Sequence, residues 1–115
     1  MRANEAIARL SGYNPNIPVG IHLTHGRNKL TLALDNITGH RQNDEAILTC
    51  DTANKAAMLG WEVLQRLETF KAGAVLKVRF SSGDELRFYE VEDIRIDCTG
   101  VHFTTKEENW DCTKN

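Results

Sequence analysis

Two segments near the start of the chain alternate apolar and polar residues, and a turn signal separates them. In residues 19–24 and 30–35 every second residue is Val, Ile or Leu, and the stretch His25-Gly-Arg-Asn28 lies between them. A Gly-X centre is typical of two-residue type II′ hairpin turns. If His25 pairs with Asn28, all six aliphatic side chains lie on one face, and a shift of one residue would destroy that match. The pattern therefore predicts an antiparallel hairpin.

The same alternation predicts two more hairpins toward the C-terminus. Residues 76–88 turn at the Ser-Gly-Asp sequence in their middle, which places Phe80 opposite Leu86. Residues 94–103 turn at a Thr-Gly pair, which places Cys98 in the inward-facing row. These hairpins add four strands to a mostly antiparallel sheet.

Between and before the hairpins, the sequence predicts a short helix, a loop and a short strand. Residues 3–10 carry apolar side chains at helical spacing, and Gly12 and Pro15 end that helix. The polar stretch 36–45 is typical of an exposed loop, and residues 46–50 are typical of a short strand.

One long amphipathic helix is predicted in the middle of the chain. It begins at Asp51 or Thr52, continues to about Lys71 and is ended by Gly73. Its apolar face has eight members: Ala53, Ala56, Leu59, Gly60, Val63, Leu64, Leu67 and Phe70.

Together these elements predict an α+β fold. A mostly antiparallel sheet with three hairpin-type turns is covered on one face by the long helix and the short N-terminal helix. A length of 115 residues is typical of one domain. We place that domain at residues 1–105 and a polar C-terminal tail at residues 106–115, and we find no internal repeat in the sequence.

Composition narrows the class of protein. The chain is 41% hydrophobic and 26% charged, and its net charge of −2 gives no strong field for non-specific capture of nucleic acid. The N-terminal residues lack the apolar run of a secretory signal, and no stretch is apolar enough to span a bilayer. The cysteines Cys50, Cys98 and Cys112 lack paired spacing. We therefore expect a cytoplasmic protein that does not bind membranes.

Candidate metal ligands do not meet in the predicted hairpins. His22 and His25 are three residues apart on a strand and point to opposite faces, and Cys98 and His102 fail the same test. His102 instead falls opposite Asp97 as a cross-strand charge pair. We therefore predict no metal site and no cofactor.

Cys50 is the strongest candidate nucleophile, because it lies where a strand is predicted to meet a helix N-terminus. The adjacent Asp51 carboxylate disfavours a thiolate, and no oxyanion donors can be identified. A structural cysteine is the better interpretation. We predict no catalytic residue, and we rank a small enzyme third among the candidate functions.

Two tryptophans and a methionine are poorly explained as core residues, and they predict a contact surface for a protein. Met58 and Trp61 lie at or beyond the border of the apolar face of the long helix, and Trp110 lies in the polar tail. Trp is enriched at protein interfaces. Glu107 and Glu108 would give that surface an acidic rim. We expect a protein partner or self-association through these residues, with a homodimer as one form.

The outer face of the first hairpin offers an alternative, a nucleic-acid-binding surface. A two-stranded ribbon can enter a groove of nucleic acid. The side chains available for it are His22, Thr24, Arg27 and Lys29, with Arg41 close by. We rank this function second, because the hairpin lacks aromatic side chains for base stacking.

The opening stretch of the chain resembles a unit of small phage and plasmid proteins. In that unit a short helix ends in Leu, and a proline turn leads into a strand; Ile7, Leu10, Pro15 and Val19 match it within residues 4–21. The resemblance implies an accessory protein of a mobile genetic element and assigns no site residue. The sequence as a whole therefore predicts a small, cytosolic, non-catalytic binding or inhibitory accessory protein that acts by protein–protein contact.

Overall fold

Six strands form a closed barrel, in a computed structural model that describes residues 1–25, 27–51, 57–82, 84–98 and 100–105. The elements in chain order are α1 (Ala3–Leu10), β1 (Val19–His25), β2 (Asn28–His40), β3 (Glu45–Asp51), α2 (Gly60–Leu67), β4 (Val75–Ser82), β5 (Glu85–Asp97) and β6 (Gly100–Thr105). Of the predicted domain limits, the tail at residues 106–115 lies outside the described residues, so the boundary at residue 105 stays a prediction.

The barrel corrects the predicted α+β sheet with one helix-covered face. Four neighbouring strand pairs are antiparallel, but β3 pairs with β4 and β1 pairs with β6 in parallel, and these two pairs close the sheet on itself. The inward rows of all six strands then pack against one another, with Ile21, Leu34, Leu48, Val78 and Phe103 fully buried. Because the barrel encloses its own core, the sheet does not need a long covering helix.

The predicted long helix is wrong in its extent, since α2 spans only Gly60–Leu67. Leu59 is extended, and its N–H donates to the Glu62 carboxylate over 2.9 Å, which caps the helix there. The Met58 N–H donates to the carbonyl of Leu34 over 3.0 Å, as a strand residue would. The predicted core positions 63, 67 and 70 are buried, whereas Ala53 and Ala56 lie outside the described residues. No helix in the described part of the chain has the length and apolarity that crossing a bilayer requires.

The first hairpin is confirmed in its register. His25 pairs with Asn28 and Leu23 with Leu30, as the alternation predicts. The predicted loop at 36–45 is too long, because β2 continues to His40, with a register shift between Leu34 and Asn36, and only residues 41–44 form the exposed connection to β3.

The other two hairpins have shifted registers. Phe80 pairs with Arg87 instead of Leu86, and this one-residue shift turns Leu86 and Phe88 to the outer face, where they are 57% and 47% exposed. In the last hairpin Asp97 pairs with Gly100, so the connection comes one residue earlier than predicted. Cys98 is therefore exposed rather than inward-facing.

The barrel consists of two halves with the same order of elements, one helix followed by three strands. The helices begin at Ala3 and Gly60, and the two 13-residue strands begin at Asn28 and Glu85, which are separated by the same length of chain as the helix starts. We call this common separation the repeat interval. Both long strands bury their fifth, seventh and tenth residues, and both have a register shift after the seventh. The chain is a structural duplication, which corrects the expectation of no internal repeat.

Backbone hydrogen bonds join the two halves in equivalent pairs. The Ala3 N–H donates to the carbonyl of Ala74 over 2.8 Å, and its counterpart Gly60 donates to the carbonyl of Ile17 over 2.9 Å. Two further pairs follow the same rule: Leu76 to Met1 with Val19 to Met58, and Asn4 to Ala72 with Trp61 to Pro15. Each half thereby holds the start of the other half's helix.

Candidate functional site

A basic groove lies on the outside of the barrel, where β3, β4 and β5 run side by side. Its volume is about 420 Å³. The lining residues come from the end of β2, the following loop and these three strands: Thr38, Gly39, His40, Arg41, Glu45, Ile47, Lys77, Arg79 and Phe88. We call this surface the basic groove.

One carboxylate organises the cations at one end of the basic groove. The Lys77 ammonium donates to Glu45 Oε2 over 2.8 Å, His40 Nδ1 lies 3.0 Å from Oε1, and the Arg41 guanidinium lies 3.8 Å from the same oxygen. Hydrogen bonding with His40, and then with Lys77, lowers the pKa of Glu45 to about 2. Glu45 therefore stays ionised at neutral pH and fixes the positions of its neighbours.

The other end of the groove carries an arginine beside an exposed ring. Arg79 and Phe88 are direct cross-strand partners in β4 and β5, so their side chains share the outer face. Phe88 is 47% exposed, and Arg79 has no ion pair with any residue that the structure describes. With Arg41, Lys77 and Arg79 against Glu45, the groove has a net positive charge.

The loop that carries Arg41 has an unusual backbone. Arg41, Gln42 and Asn43 have φ values of 53°, 56° and 66°, in the left-handed region that side chains disfavour. The carbonyl of Asp44 accepts the N–H of Val75 over 3.0 Å, which ties the end of this loop to β4. Backbone conformations of this kind cluster at functional sites.

The residues predicted for nucleic-acid binding are divided between two surfaces. His22, Thr24 and Lys29 line a groove of about 660 Å³ beside the first hairpin, together with the acidic residues Glu92 and Asp97. Arg27 is exposed in the hairpin turn, and Arg41 lies beyond the other end of the 13-residue β2, in the basic groove. Arg95 lines this groove too, so its two cations, Lys29 and Arg95, are balanced by the two acids and the groove has no excess of positive charge.

Two of the residues predicted for protein binding are brought together. Met58 and Trp61 line a groove of about 360 Å³ along α2, and Trp61 is 46% exposed. Met58 is half-buried and packs against the core. Trp110, Glu107 and Glu108 lie outside the described residues.

Two histidines from different predicted hairpins lie side by side where β1 pairs with β6 and closes the barrel. The rings of His22 in β1 and His102 in β6 stack with centroids 4.0 Å apart, and Asp97 Oδ2 lies 3.4 Å from His22 Nε2 and 3.5 Å from His102 Nδ1. Burial lowers the pKa of His102, and the neighbouring His22 lowers it further, while Asp97 opposes both effects. The predicted cross-strand pairing of His102 with Asp97 is wrong, because His102 pairs with Arg95 and Asp97 pairs with Gly100, although the two side chains still approach to 3.5 Å. The contact of His22 with His102 is the part that the sequence did not indicate.

No protein-family model, curated protein or solved structure matches the chain. Its chemistry must therefore be inferred from the two sites themselves.

The sequence missed both sites for the same reason. Lys77, Arg79 and Phe88 join Glu45 only through the parallel β3–β4 pair, and His22 joins His102 only through the parallel β1–β6 pair. A parallel pair leaves no turn signal in the sequence. The run Lys77-Val-Arg79, with both cations on one face of a predicted strand, was the one available signal.

Proposed function

We propose that the protein is a non-catalytic binding protein and that its basic groove binds single-stranded nucleic acid. The observation that carries the proposal is the direct cross-strand pairing of Arg79 with the exposed Phe88. Single-strand-binding surfaces combine cations that follow the phosphates with aromatic rings on which the bases stack. The groove has both elements side by side.

The charges of the groove suit a phosphate backbone. Arg79 is exposed and available for a phosphate, and the Glu45 carboxylate holds Lys77 and His40 at the other end. An arginine can donate two parallel hydrogen bonds to a phosphate. The groove therefore offers two separated points for successive phosphates.

The apolar side chains suit a base. Phe88 and Leu86 are alternate residues on the outer face of β5, and both are about half exposed. Stacking on such a ring is worth roughly 1–3 kcal/mol per base and tolerates any base. We therefore expect weak sequence preference.

The first hairpin fits this function less well than the basic groove does. In the groove there, Glu92 and Asp97 balance Lys29 and Arg95. Phe88 has no aromatic equivalent on that surface, because its counterpart one repeat interval earlier is Thr31. Duplex DNA would also need a broader field than a chain of net charge −2 provides.

The experiment is a titration of a fluorescent oligothymidylate by fluorescence anisotropy at low salt. We expect Phe88→Ala to weaken binding at least about fivefold, since a lost stacking contact alone accounts for that factor. We expect a similar loss for Arg79→Ala, because a phosphate contact is removed. The double variant Arg27→Ala/Lys29→Ala is the control and should bind as the wild type does. If that control loses binding and the groove variants keep it, the hairpin is the binding surface. If the wild type does not bind, the proposal is wrong.

A second candidate function is capture of a protein partner, or self-association, through Met58 and Trp61. The exposed Trp61 ring above a groove along α2 favours it, because a half-exposed Trp is a typical interface anchor. Sedimentation of the wild type and of Trp61→Ala distinguishes a dimer from a monomer, and a partner captured only by the wild type would support a heteromeric contact.

We place this activity in the cytoplasm. No disulfide joins the cysteines that the structure describes, Cys50 and Cys98, and Cys98 is exposed, which suits a reducing compartment. The role as an accessory protein of a mobile element stays a prediction that rests on residues 4–21.

A further inference from the structure

The side chains of His22, Asp97 and His102 form a compact cluster on the opposite part of the barrel from the basic groove. Three different strands supply them: β1, the end of β5 and β6. Each offers one nitrogen or oxygen atom, and these three atoms lie within 4.8 Å of one another. We call this set the His–Asp–His cluster.

The distances within the cluster fit a shared central ion better than they fit hydrogen bonds. The two nitrogen-to-oxygen distances are 3.4 Å from His22 and 3.5 Å from His102. A good N–H···O hydrogen bond measures about 2.7–3.2 Å. Ligand atoms about 2.0–2.2 Å from a tetrahedral zinc ion are about 3.3–3.6 Å from each other. Both measured distances match the separation between two ligands of one metal, and the three atoms, which lie within 4.8 Å of one another, need only to draw closer together.

His22 has a hydrogen-bond partner on its other nitrogen. His22 Nδ1 lies 3.1 Å from the hydroxyl of Thr31, its cross-strand partner. When Nδ1 carries the proton and donates it to Thr31, the lone pair of Nε2 faces Asp97. Metal-binding histidines are held by outer partners in this way.

His102 is held by close packing. Its side chain is 5% exposed, and its ring lies so near Gly20 that a Cβ there would be 2.9 Å from His102 Cδ2. Burial favours the neutral imidazole, which is the form that binds metals. Because the two rings stack with an interplanar angle of 25°, their lone pairs run nearly parallel, and the more exposed His22 ring has to turn toward an ion that both share.

We infer that His22, Asp97 and His102 bind one divalent transition-metal ion, with Zn²⁺ as the best match. Two imidazoles and one carboxylate suit zinc and exclude the hard ions Mg²⁺ and Ca²⁺ as preferred occupants. Three protein ligands leave one tetrahedral position open. It would face an adjoining groove of about 450 Å³ with a mostly apolar or small lining: Pro18, Gly20, Leu32, Ala33 and Ala57.

The duplication supplies a matched control, because the equivalent positions carry different residues. Arg79 stands one repeat interval after His22, and His40 and Glu45 stand one repeat interval before Asp97 and His102. His40 contacts Glu45 in the basic groove as Asp97 contacts His102, but an arginine takes the place of the third ligand there. The two sites can therefore be altered independently.

The test is a titration of the metal-free full chain with ZnCl₂ by calorimetry, and with CoCl₂ by absorption, at neutral pH. We expect one equivalent of Zn²⁺ and the visible bands of four-coordinate Co²⁺. Asp97→Asn and His22→Gln should each weaken Zn²⁺ binding more than about tenfold, and Thr31→Val roughly 10–100-fold. Circular dichroism of each variant ensures that the loss is not a loss of folding, and Asp97, being exposed, is the safest site to change.

His40→Gln and Cys98→Ser are the controls and should bind Zn²⁺ as the wild type does. The inference is overturned if the wild type takes up no stoichiometric Zn²⁺, or if Asp97→Asn and His22→Gln both bind it unchanged. It is also overturned if Cys98→Ser alone abolishes binding, because an exposed thiol would then be the site.

Discussion

Arg9 and Arg66 make equivalent contacts, each from a helix in one half of the barrel to a strand in the other half. The Arg9 guanidinium donates to the carbonyl of Ile94 over 2.7 Å, and the Arg66 guanidinium donates to the carbonyl of Ile37 over 2.8 Å. One repeat interval separates the two arginines, and the same interval separates the two isoleucines. Each helix is therefore fastened to the long strand of the other half, directly after that strand's register shift.

Removing one of these contacts should weaken the joint between the halves. We expect Arg66→Ala to lower the free energy of unfolding by about 1–2 kcal/mol, because a charge-assisted hydrogen bond to a backbone carbonyl is lost. The measurement is urea unfolding followed by circular dichroism. Gln65→Ala, one residue earlier on the exposed side of α2, is the control and should change stability by less than about 0.5 kcal/mol. Equal stability of the two variants would mean that the contact contributes nothing.

Among the glycines that the structure describes, Gly100 should be the least tolerant of a side chain. Its φ of +138° disfavours any other residue, and an added Cβ would lie 2.7 Å from the carbonyl oxygen of Pro18. We expect Gly100→Ala to cost roughly 1–3 kcal/mol of stability. Gly73→Ala is the matched control, since nothing lies within 4 Å of its added Cβ. A melting temperature of Gly73→Ala at or below that of Gly100→Ala would contradict the close approach of Gly100 to Pro18.

Glu45 should contribute an acid-sensitive part of the stability. Its pKa is about 2 in the folded protein against an ordinary value of 4.5. A lowered carboxyl pKa stabilises the fold fully above pH 4.5, and this contribution is lost as the pH falls from 4.5 toward 2. Glu45→Gln should therefore be less stable than the wild type at neutral pH, and the difference should shrink across that window. Unfolding curves measured from pH 7 downward check this, and a difference that grows toward acid would contradict it.

The same substitution separates stability from binding. Glu45 is the acidic residue among the lining of the basic groove, so Glu45→Gln makes that groove more positive. We expect this variant to bind an oligothymidylate more tightly than the wild type at low salt, although it is less stable. Weaker binding, with the variant shown to be folded, would indicate that Glu45 mainly positions the cations.

Trp61 should be separable from the core. Its side chain is 46% exposed on α2, so Trp61→Ala should leave the melting temperature within a few degrees of the wild type. If the second candidate function holds, the same variant should weaken association by roughly 2–4 kcal/mol. Analytical ultracentrifugation reads out self-association. Early unfolding of Trp61→Ala would assign the ring to the core instead.

The local pairing of the first hairpin could be predicted because its pattern and its turn agree. Val19, Ile21 and Leu23 allow one register only, and the Gly-Arg turn supports it. The second hairpin contains the same information, but its strands have apolar residues in both rows. Either Leu86 and Phe88 or Arg87 and Tyr89 could therefore face inward. In the structure Ser82 pairs with Glu85, so the turn is shorter than predicted and Tyr89 is buried.

The closed barrel could not be predicted, because its two closing pairs are parallel and distant in the chain. The duplication was also hidden from sequence comparison, since few residues of the first half are identical to those one repeat interval later. What recurs is the spacing of buried residues, such as Leu32, Leu34 and Ile37 against Tyr89, Val91 and Ile94. Burial preserves hydrophobicity and volume rather than residue identity.

The most direct test of the proposed function is the salt dependence of oligothymidylate binding. With two phosphate contacts in the basic groove, the slope of log affinity against log salt should be about −1.4 for the wild type, at about 0.7 per phosphate contact. Arg79→Ala should make the slope shallower by about 0.7. Phe88→Ala should weaken binding and leave the slope unchanged, because the ring carries no charge. A wild type that does not bind, or an Arg79→Ala variant with the wild-type affinity and slope, would contradict the assignment of this groove.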